Sequence, residues 1–303
     1  MGTEKFSPAI NKNLLILHFT VLIWGFTGIL GALISISAVS LVWYRVFIAS
    51  VSLFLYFKFI KMPFRVHRKT FFTLIFTGSL VGCHWILFFA SIKLSTVSVA
   101  LVCLSSITLF TAIFEPLISK KNISRLQILA GLLIIAGIVI IFKFETKYTS
   151  GIIAGLISAV AASLFAIINS KLVQKNEAPV IAFYELTGAF FWISIYLFFT
   201  KSFNASIIPN NADWVYLFIL GTVCTSLAYA AGVSVMRELP VFRVALITNL
   251  EPVYGIVLAF FFFGDLKKMN AGFWVGAVII LSTILLYPIT QRKIQGRKKR
   301  IEV

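Results

Sequence analysis

Charge is scarce in this 303-residue chain: 12% of its residues are charged, while 60% are hydrophobic and 31 are Phe. A soluble domain of that length could not hide so much apolar surface, and its connecting segments would be rich in charge. Here nearly every polar cluster is short. Cysteine is scarce too: Cys83, Cys103 and Cys224 all lie inside apolar runs and make neither a disulfide framework nor a zinc spacing. The three histidines are His18, His67 and His84, and neither HExxH nor GxSxG occurs, so hydrolase chemistry has little support. The absence of GxxxxGK[ST] argues against an ATP-driven pump in a single chain. A passive channel would favour a continuous polar stripe, and only isolated polar residues are found. Neither cofactor nor metal is expected.

What is there is a set of long apolar runs. About 20 apolar residues cross a bilayer, and ten stretches qualify, near 14–36, 40–59, 71–92, 96–118, 125–142, 150–172, 179–200, 213–236, 241–263 and 271–290. They predict an all-α membrane protein of ten transmembrane helices. Thirteen residues precede the first and no small-residue cleavage site follows it, so the first helix is read as uncleaved. The net charge of +17 does not point to nucleic acid, because the positive residues sit in a few loops and the tail, where they set topology. With the N-terminus inside, the inner segments hold 20 Lys and Arg and the outer loops six. The positive-inside rule then puts both termini in the cytoplasm. The basic tail from about residue 291, with Arg292 to Arg300, is a solvated flank or touches anionic lipid headgroups.

The two halves echo each other. A shift of 145 places Val99-Ala100-Leu101 on Val244-Ala245-Leu246, Gly131 on Gly276 and Gly137 on Ser282. Earlier the offset drifts, with Gly78 facing Gly221 at 143 and Tyr44-Arg45 facing Tyr184-Glu185 at 140. Each half, 1–147 and 148–303, carries five spans, an odd number, so the second must enter the membrane from the opposite face. That is the inverted repeat of secondary transporters, with a site near the midplane between the copies.

The ninth span carries the costliest interruption, Asn249, Glu251 and Pro252. Ten residues at 1.5 Å rise is about 15 Å, mid-depth in a core of about 30 Å. A carboxylate there must be lined by protein or water, and Pro252 leaves the Thr248 carbonyl without its helical donor, a helix break. Glu251 is read as holding a substrate amine or a proton; the alternative is a neutral carboxyl hydrogen-bonded to a neighbouring helix. Asn249 is roughly 200° around the helix from Glu251, so it is either part of the site through an unwound turn or interhelical glue.

Other candidates come with equally plain alternatives. His84, beside Trp85, is a cavity wall with an imidazole that titrates near neutrality, or a packing histidine. Arg45, with Trp43 and Tyr44 beside it, attracts a carboxylate near the mouth or snorkels to outer headgroups. For Glu185 the expectation is an interface contact to Lys171 or Lys175. Glu115-Pro116 is read as a helix end at the inner face. The pairs Gly78/Gly82, Gly151/Gly155 and Gly272/Gly276 allow close helix packing or mark where helices slide. The repeat places Ser106 opposite Glu251 across a cavity lined by spans 1, 3, 4, 6, 8 and 9.

Trp24-Gly25, Tyr44-Arg45, and the run Leu250, Pro252, Gly264-Asp265, Gly276 resemble the EamA-type branch of the drug/metabolite transporter superfamily over essentially the whole chain. The chain departs from the pattern at Ile107, where the repeat would put a second proline, and at Lys120, which opposes Asp265. The resemblance implies ten helices as two inverted five-helix repeats. It also implies movement of metabolites, often amino acids or their relatives, across a bacterial inner membrane. The expected function is alternating-access secondary transport of a small amphipathic metabolite, with protons a candidate co-substrate and membrane lipid the surrounding partner. Trp24, Trp85, Tyr229 and Tyr254 would suit an apolar or aromatic side chain, or lipid. A passive facilitator or an intramembrane enzyme is the alternative class. No motif assigns an oligomeric state.

Overall fold

The computed structural model describes residues 12–120, 125–144, 146–263 and 270–301; Lys5, Lys121, Gly264, Asp265, Lys267 and Lys268 lie outside the described residues. Helix accounts for 86% of the described residues, and no strand occurs among them. The spans run Lys12–Leu33, Ala38–Ile60, Arg68–Leu94, Val97–Leu104 with Ile107–Ser119, Arg125–Phe144, Thr149–Leu172, Ala178–Phe199, Asn211–Val235, Val241–Thr248 with Leu250–Phe263, and Ala271–Ile301. Nine of these are long and apolar enough to cross a membrane. In span 5 the apolar stretch among the described residues is the shorter Leu129–Ile141. Phe19, Phe59, Phe76 and Leu132 point outward from the bundle, as lipid-facing side chains do.

Local chemistry sets the ends. Ser37 and Thr96 accept from the backbone N–H of Ser40 and Val99, satisfying donors that have no helical partner. Asn210 and Asp213 form a reciprocal capping box at the start of span 8. Lys61 and Lys120 end spans 2 and 4 in the left-handed region, at φ 54° and 53°. Pro116 does not end span 4, contrary to the sequence expectation: its fixed φ is helical, and the helix continues to Ser119.

The inverted repeat is visible in the packing. In spans 5 and 10 a Cβ on Gly137 would meet Ile280, and one on Gly276 would meet Ile141, so four residues up one helix is four down the other. Spans 4 and 9 cross the same way, the first segment of each lying against the second segment of the other. At the end of span 3, Lys93 Nζ donates to the Ile34 carbonyl (2.8 Å); at the end of span 8, Arg237 Nε donates to the Val173 carbonyl (3.1 Å). These are the same tie in each repeat, on opposite faces. We call the face holding the 2–3, 4–5, 6–7 and 8–9 connections the terminal face and the other the far face.

Span 8 holds one irregularity that span 3 lacks, a π-helical turn over Thr222–Leu227. A π-turn inserts one residue. It follows Gly221, and the offset between repeats accordingly moves from 143 at Gly78/Gly221 to 144 at Lys93/Arg237.

Candidate functional site

Spans 4 and 9 are broken at matching places. Each opens with an eight-residue segment, Val97–Leu104 and Val241–Thr248, and is interrupted at Ser105-Ser106 and at Asn249 respectively. The span 9 break thus falls at Asn249 rather than at Pro252. Pro252 stands in the first turn of Leu250–Phe263, where a missing N–H costs little. The Asn249 side-chain amide donates to Thr108 Oγ1, which donates on to the Ala245 carbonyl (3.3 Å). Asn249 is therefore the glue between the two broken spans and does not line the cavity.

Beside the breaks lies a cavity of about 850 Å³, mouth included. Its walls come from spans 1, 3, 4, 6, 8 and 9, as expected, and from span 2 through Arg45. Met236 and Val241, where spans 8 and 9 join, line it toward the terminal face, whereas Arg45, Thr27 and Phe88 line its inner end. The residues of that end are almost fully buried, and on the far face above them Asp213 accepts from both the backbone N–H (2.8 Å) and the hydroxyl (2.6 Å) of Ser35.

Arg45 sits at this blind end, 1% exposed, with its guanidinium 4.1 Å from the Trp85 ring centroid. The snorkelling alternative is excluded, because spans 3 and 8 enclose the side chain. Its Nε donates to Thr225 Oγ1 (2.5 Å), and Thr225, in the π-turn, donates in turn to the Leu220 carbonyl (2.6 Å). Its Nη1 is buried without an acceptor. Glu251 lines the cavity at 6% exposure, and no ion pair joins it to Arg45 among the described residues.

His84 lines the cavity between Phe88 and Phe165, with ring centroids 6.4 and 5.5 Å away. Ser158 Oγ donates to the His84 carbonyl (2.8 Å), and His84 Nδ1 lies 2.8 Å from that Oγ and 3.1 Å from the Ser158 carbonyl. With the Ser158 proton so used, Nδ1 must be the donor in this pair, so that in a neutral ring Nε2 carries the lone pair.

Among the described residues Glu185 forms no ion pair or hydrogen bond with Lys171 or Lys175, contrary to the sequence expectation. It is fully buried, and its Oε2 accepts from Tyr229 (2.7 Å) and from the Asn169 amide (3.1 Å). Its place on the inward face of span 7 keeps it from either lysine, and a carboxyl so enclosed needs polar partners.

Among the other expected residues, Trp24, Trp85 and Tyr229 line the cavity, and Ser106 and Tyr254 do not. Ser106 is fully buried with its hydroxyl unpartnered. The reason is register: at an offset of 144 the cavity-lining pair Leu104 and Ile107 matches the lining pair Thr248 and Glu251. The offset of 145 slips one residue, which turns a side chain by about 100°. Ile107, not Ser106, is thus the counterpart of Glu251. Tyr254 instead packs beside Gly25, where a Cβ would come within 3.0 Å of its own.

Sequence reasoning missed Asn169, Phe165 and Thr225. An isolated Asn inside the Ala-rich sixth span was the available signal for Asn169; nothing local marks the π-turn that presents Thr225. At the 144 offset Trp85 matches Tyr229, and these two rings touch edge to face at 5.6 Å between centroids. Arg45 stacks on Trp85 and Glu185 accepts from the Tyr229 hydroxyl, so a basic and an acidic residue occupy the matching positions beside this ring pair.

The sequence profile of the EamA-like transporter family matches residues 11–143 and 149–287. Over 166 residues the chain is 22% identical to an "Uncharacterized transporter" of Archaeoglobus fulgidus, covering 54% of this chain and 57% of that relative. The chain thus spans little more than half the length of that protein. A solved crystal structure superposes with a TM-score of 0.69 over 92% of this chain and 98% of its own, at 15% identity, a likeness of fold.

Proposed function

The chain belongs to the EamA-like transporter family, and from that premise we propose that it is a secondary transporter working by alternating access. Its substrate is a small amphipathic metabolite, an amino acid or a related compound, and protons are the candidate coupling ion. The repeats 1–147 and 148–303 are the two rocking units. The membrane is a bacterial inner membrane, with both termini and the terminal face in the cytoplasm.

One observation carries this reading. A cavity between the repeats, beside two spans broken at matching positions, holds a buried cation and a buried carboxyl without an ion pair between them. Interrupted spans at corresponding places in inverted halves mark transporter sites, because freed backbone groups there can meet a ligand. The cavity reaches toward one face, and its other end is buried beneath the contact of Asp213 with Ser35, which suits one of two access states.

Substrate uptake into proteoliposomes, with and without a pH gradient, tests it. Glu251→Gln keeps shape and hydrogen-bonding capacity but loses the charge. Transport should fall at least roughly tenfold, equivalent to about 1.4 kcal/mol of differential interaction, with thermal stability near the parent's. Pro252→Ala should hurt less, since the break lies at Asn249. Full transport by the glutamine variant would reduce Glu251 to a packing residue. Uptake that only equilibrates under every imposed gradient would make the protein a passive facilitator.

A further inference from the structure

With Arg45 protonated and Glu251 ionised, the charges in the cavity balance when it is empty and cease to balance when an anion enters. Arg45 is 1% exposed, and the only hydrogen bond of its guanidinium among the described residues goes to the neutral Thr225 hydroxyl. Arg45 lines the cavity and its Nη1 is buried without an acceptor, so the guanidinium keeps an unused donor for a carboxylate, which a planar guanidinium binds with paired donors. Glu251 is the one carboxyl among the residues lining the cavity. A ligand carboxylate would therefore place two negative charges against one positive charge in a space walled by Trp85, Phe88 and Phe165, where an uncompensated charge is costly.

We propose that the cavity takes up a carboxylate and a proton together: the carboxylate pairs with Arg45, and Glu251 accepts the proton that restores neutrality. The proposal rests on reading this cavity as the transport site and narrows its substrate class to an organic monocarboxylate with an apolar or aromatic body, in place of a zwitterionic amino acid. Arg45, the carboxylate and a protonated Glu251 sum to zero charge, as Arg45 and ionised Glu251 do without ligand. The other titratable groups near Glu251 do not replace it. Spans 1 and 4 and the first segment of span 9 pack on its helix; His18 is exposed and Arg243 half-buried near the terminal end. Cys103 lies in a second apolar cluster, away from the cavity. Cys224 is buried in span 8, Tyr229 donates to Glu185 rather than into the cavity, and Glu185 lies behind Tyr229. His84 is the competing proton acceptor, through Nε2.

The test uses the purified full-length protein in detergent, with benzoate, phenylacetate and indole-3-acetate as probes, phenylacetamide as the neutral control and phenylalanine as the zwitterion. Binding is read by thermal stabilisation, and proton uptake by a pH dye in weakly buffered solution. At least one carboxylate should bind with uptake of about one proton, its affinity falling about tenfold per pH unit as pH rises through the range where empty Glu251 is ionised. Phenylacetamide should not bind. Arg45→Gln should lose at least tenfold in affinity, and Arg45→Lys should retain part of it. Glu251→Gln should bind with no proton uptake and little pH dependence, while His84→Gln keeps both. If Arg45→Gln does not fold, the lysine variant and the amide decide.

Equal binding of the amide, binding of none of the carboxylates, binding of phenylalanine alone without proton uptake, or uptake that persists in Glu251→Gln would each overturn the proposal. Carboxylate binding with proton uptake but no movement across proteoliposomes would instead sink the transporter reading alone.

Discussion

Gly78 and Gly82 sit one turn apart on span 3, and replacing each with alanine should have opposite effects. A Cβ on Gly78 would lie 2.3 Å from the Glu185 carbonyl oxygen, 2.8 Å from the Ala189 nitrogen and 2.9 Å from the Gly188 carbonyl carbon, all backbone atoms of span 7. Span 7 returns the approach, since a Cβ on Gly188 would be 2.7 Å from the Ile75 carbonyl oxygen. Backbone cannot rotate away as a side chain can, so the two helices must part by about 1 Å to reach normal contact. Overpacking of this kind costs about 1–3 kcal/mol, against which alanine's better helix propensity returns about 1 kcal/mol. At Gly82 the new methyl would meet only side-chain atoms of Ala189 and Ile193 at 3.4 Å, ordinary contact, so the propensity gain should dominate.

The expected separation between the two variants is therefore about 2 kcal/mol, or several degrees in the midpoint of thermal denaturation. The assay is unfolding of the purified protein in detergent, with Gly78→Ala below the parent and Gly82→Ala at or above it. Gly78→Ala should also depress transport, because it pushes on the span 7 segment that holds Glu185. Equal midpoints for the two variants would refute the close backbone approach of spans 3 and 7.

Three further outcomes follow from the same geometry. In a cysteine-free background shown to fold, Lys69→Cys and Arg297→Cys should resist an impermeant thiol reagent applied to intact cells, while Lys147→Cys reacts; labelling of the first two from outside reverses the orientation. Asp213→Asn weakens two hydrogen bonds that a charged acceptor makes to Ser35, worth about 1.5–3 kcal/mol each. It should raise the access of a thiol reagent from the far face to Thr27→Cys at the blind end, and unchanged access removes Asp213 as a closing contact. Tyr229→Phe removes the 2.7 Å donor to Glu185 while keeping the ring against Trp85, and should cost about 1–3 kcal/mol in thermal stability; parent-like stability would mean that the hydroxyl does not support Glu185.

The fold was legible because lipid imposes one rule on every span: about 20 apolar residues with all backbone groups paired internally. Hydropathy alone therefore recovers ten spans, and parity then demands inversion. The site was legible only where a polar residue stood alone in an apolar run, as Glu251, Arg45 and His84 do. Side-chain direction was not, because it depends on register to a single residue. Ser106 was placed in the cavity by an offset of 145, and it faces away because the lining positions match at 144. Part of the drift has a structural cause, the π-turn after Gly221, which adds a residue to span 8 and brings Thr225 to Arg45. Glu185 was misread because nothing in its own helix reveals that Asn169 and Tyr229, from two other spans, converge on it.

The repeat also explains why the site is polarised. Two identical halves related by an axis in the membrane plane would line their cavity with identical chemistry, and any carboxyl or cation would face its own copy. Here the equivalent positions around the cavity differ: Arg45 against Glu185, Trp85 against Tyr229, Ile107 against Glu251. The scaffold keeps its symmetry elsewhere, as in the paired ties of Lys93 to Ile34 and Arg237 to Val173. Asymmetry at these positions gives the cavity a cationic blind end and a carboxyl nearer mid-depth. A ligand would then be oriented by its charge, and the symmetric scaffold would supply two arrangements of similar energy between which it can be passed.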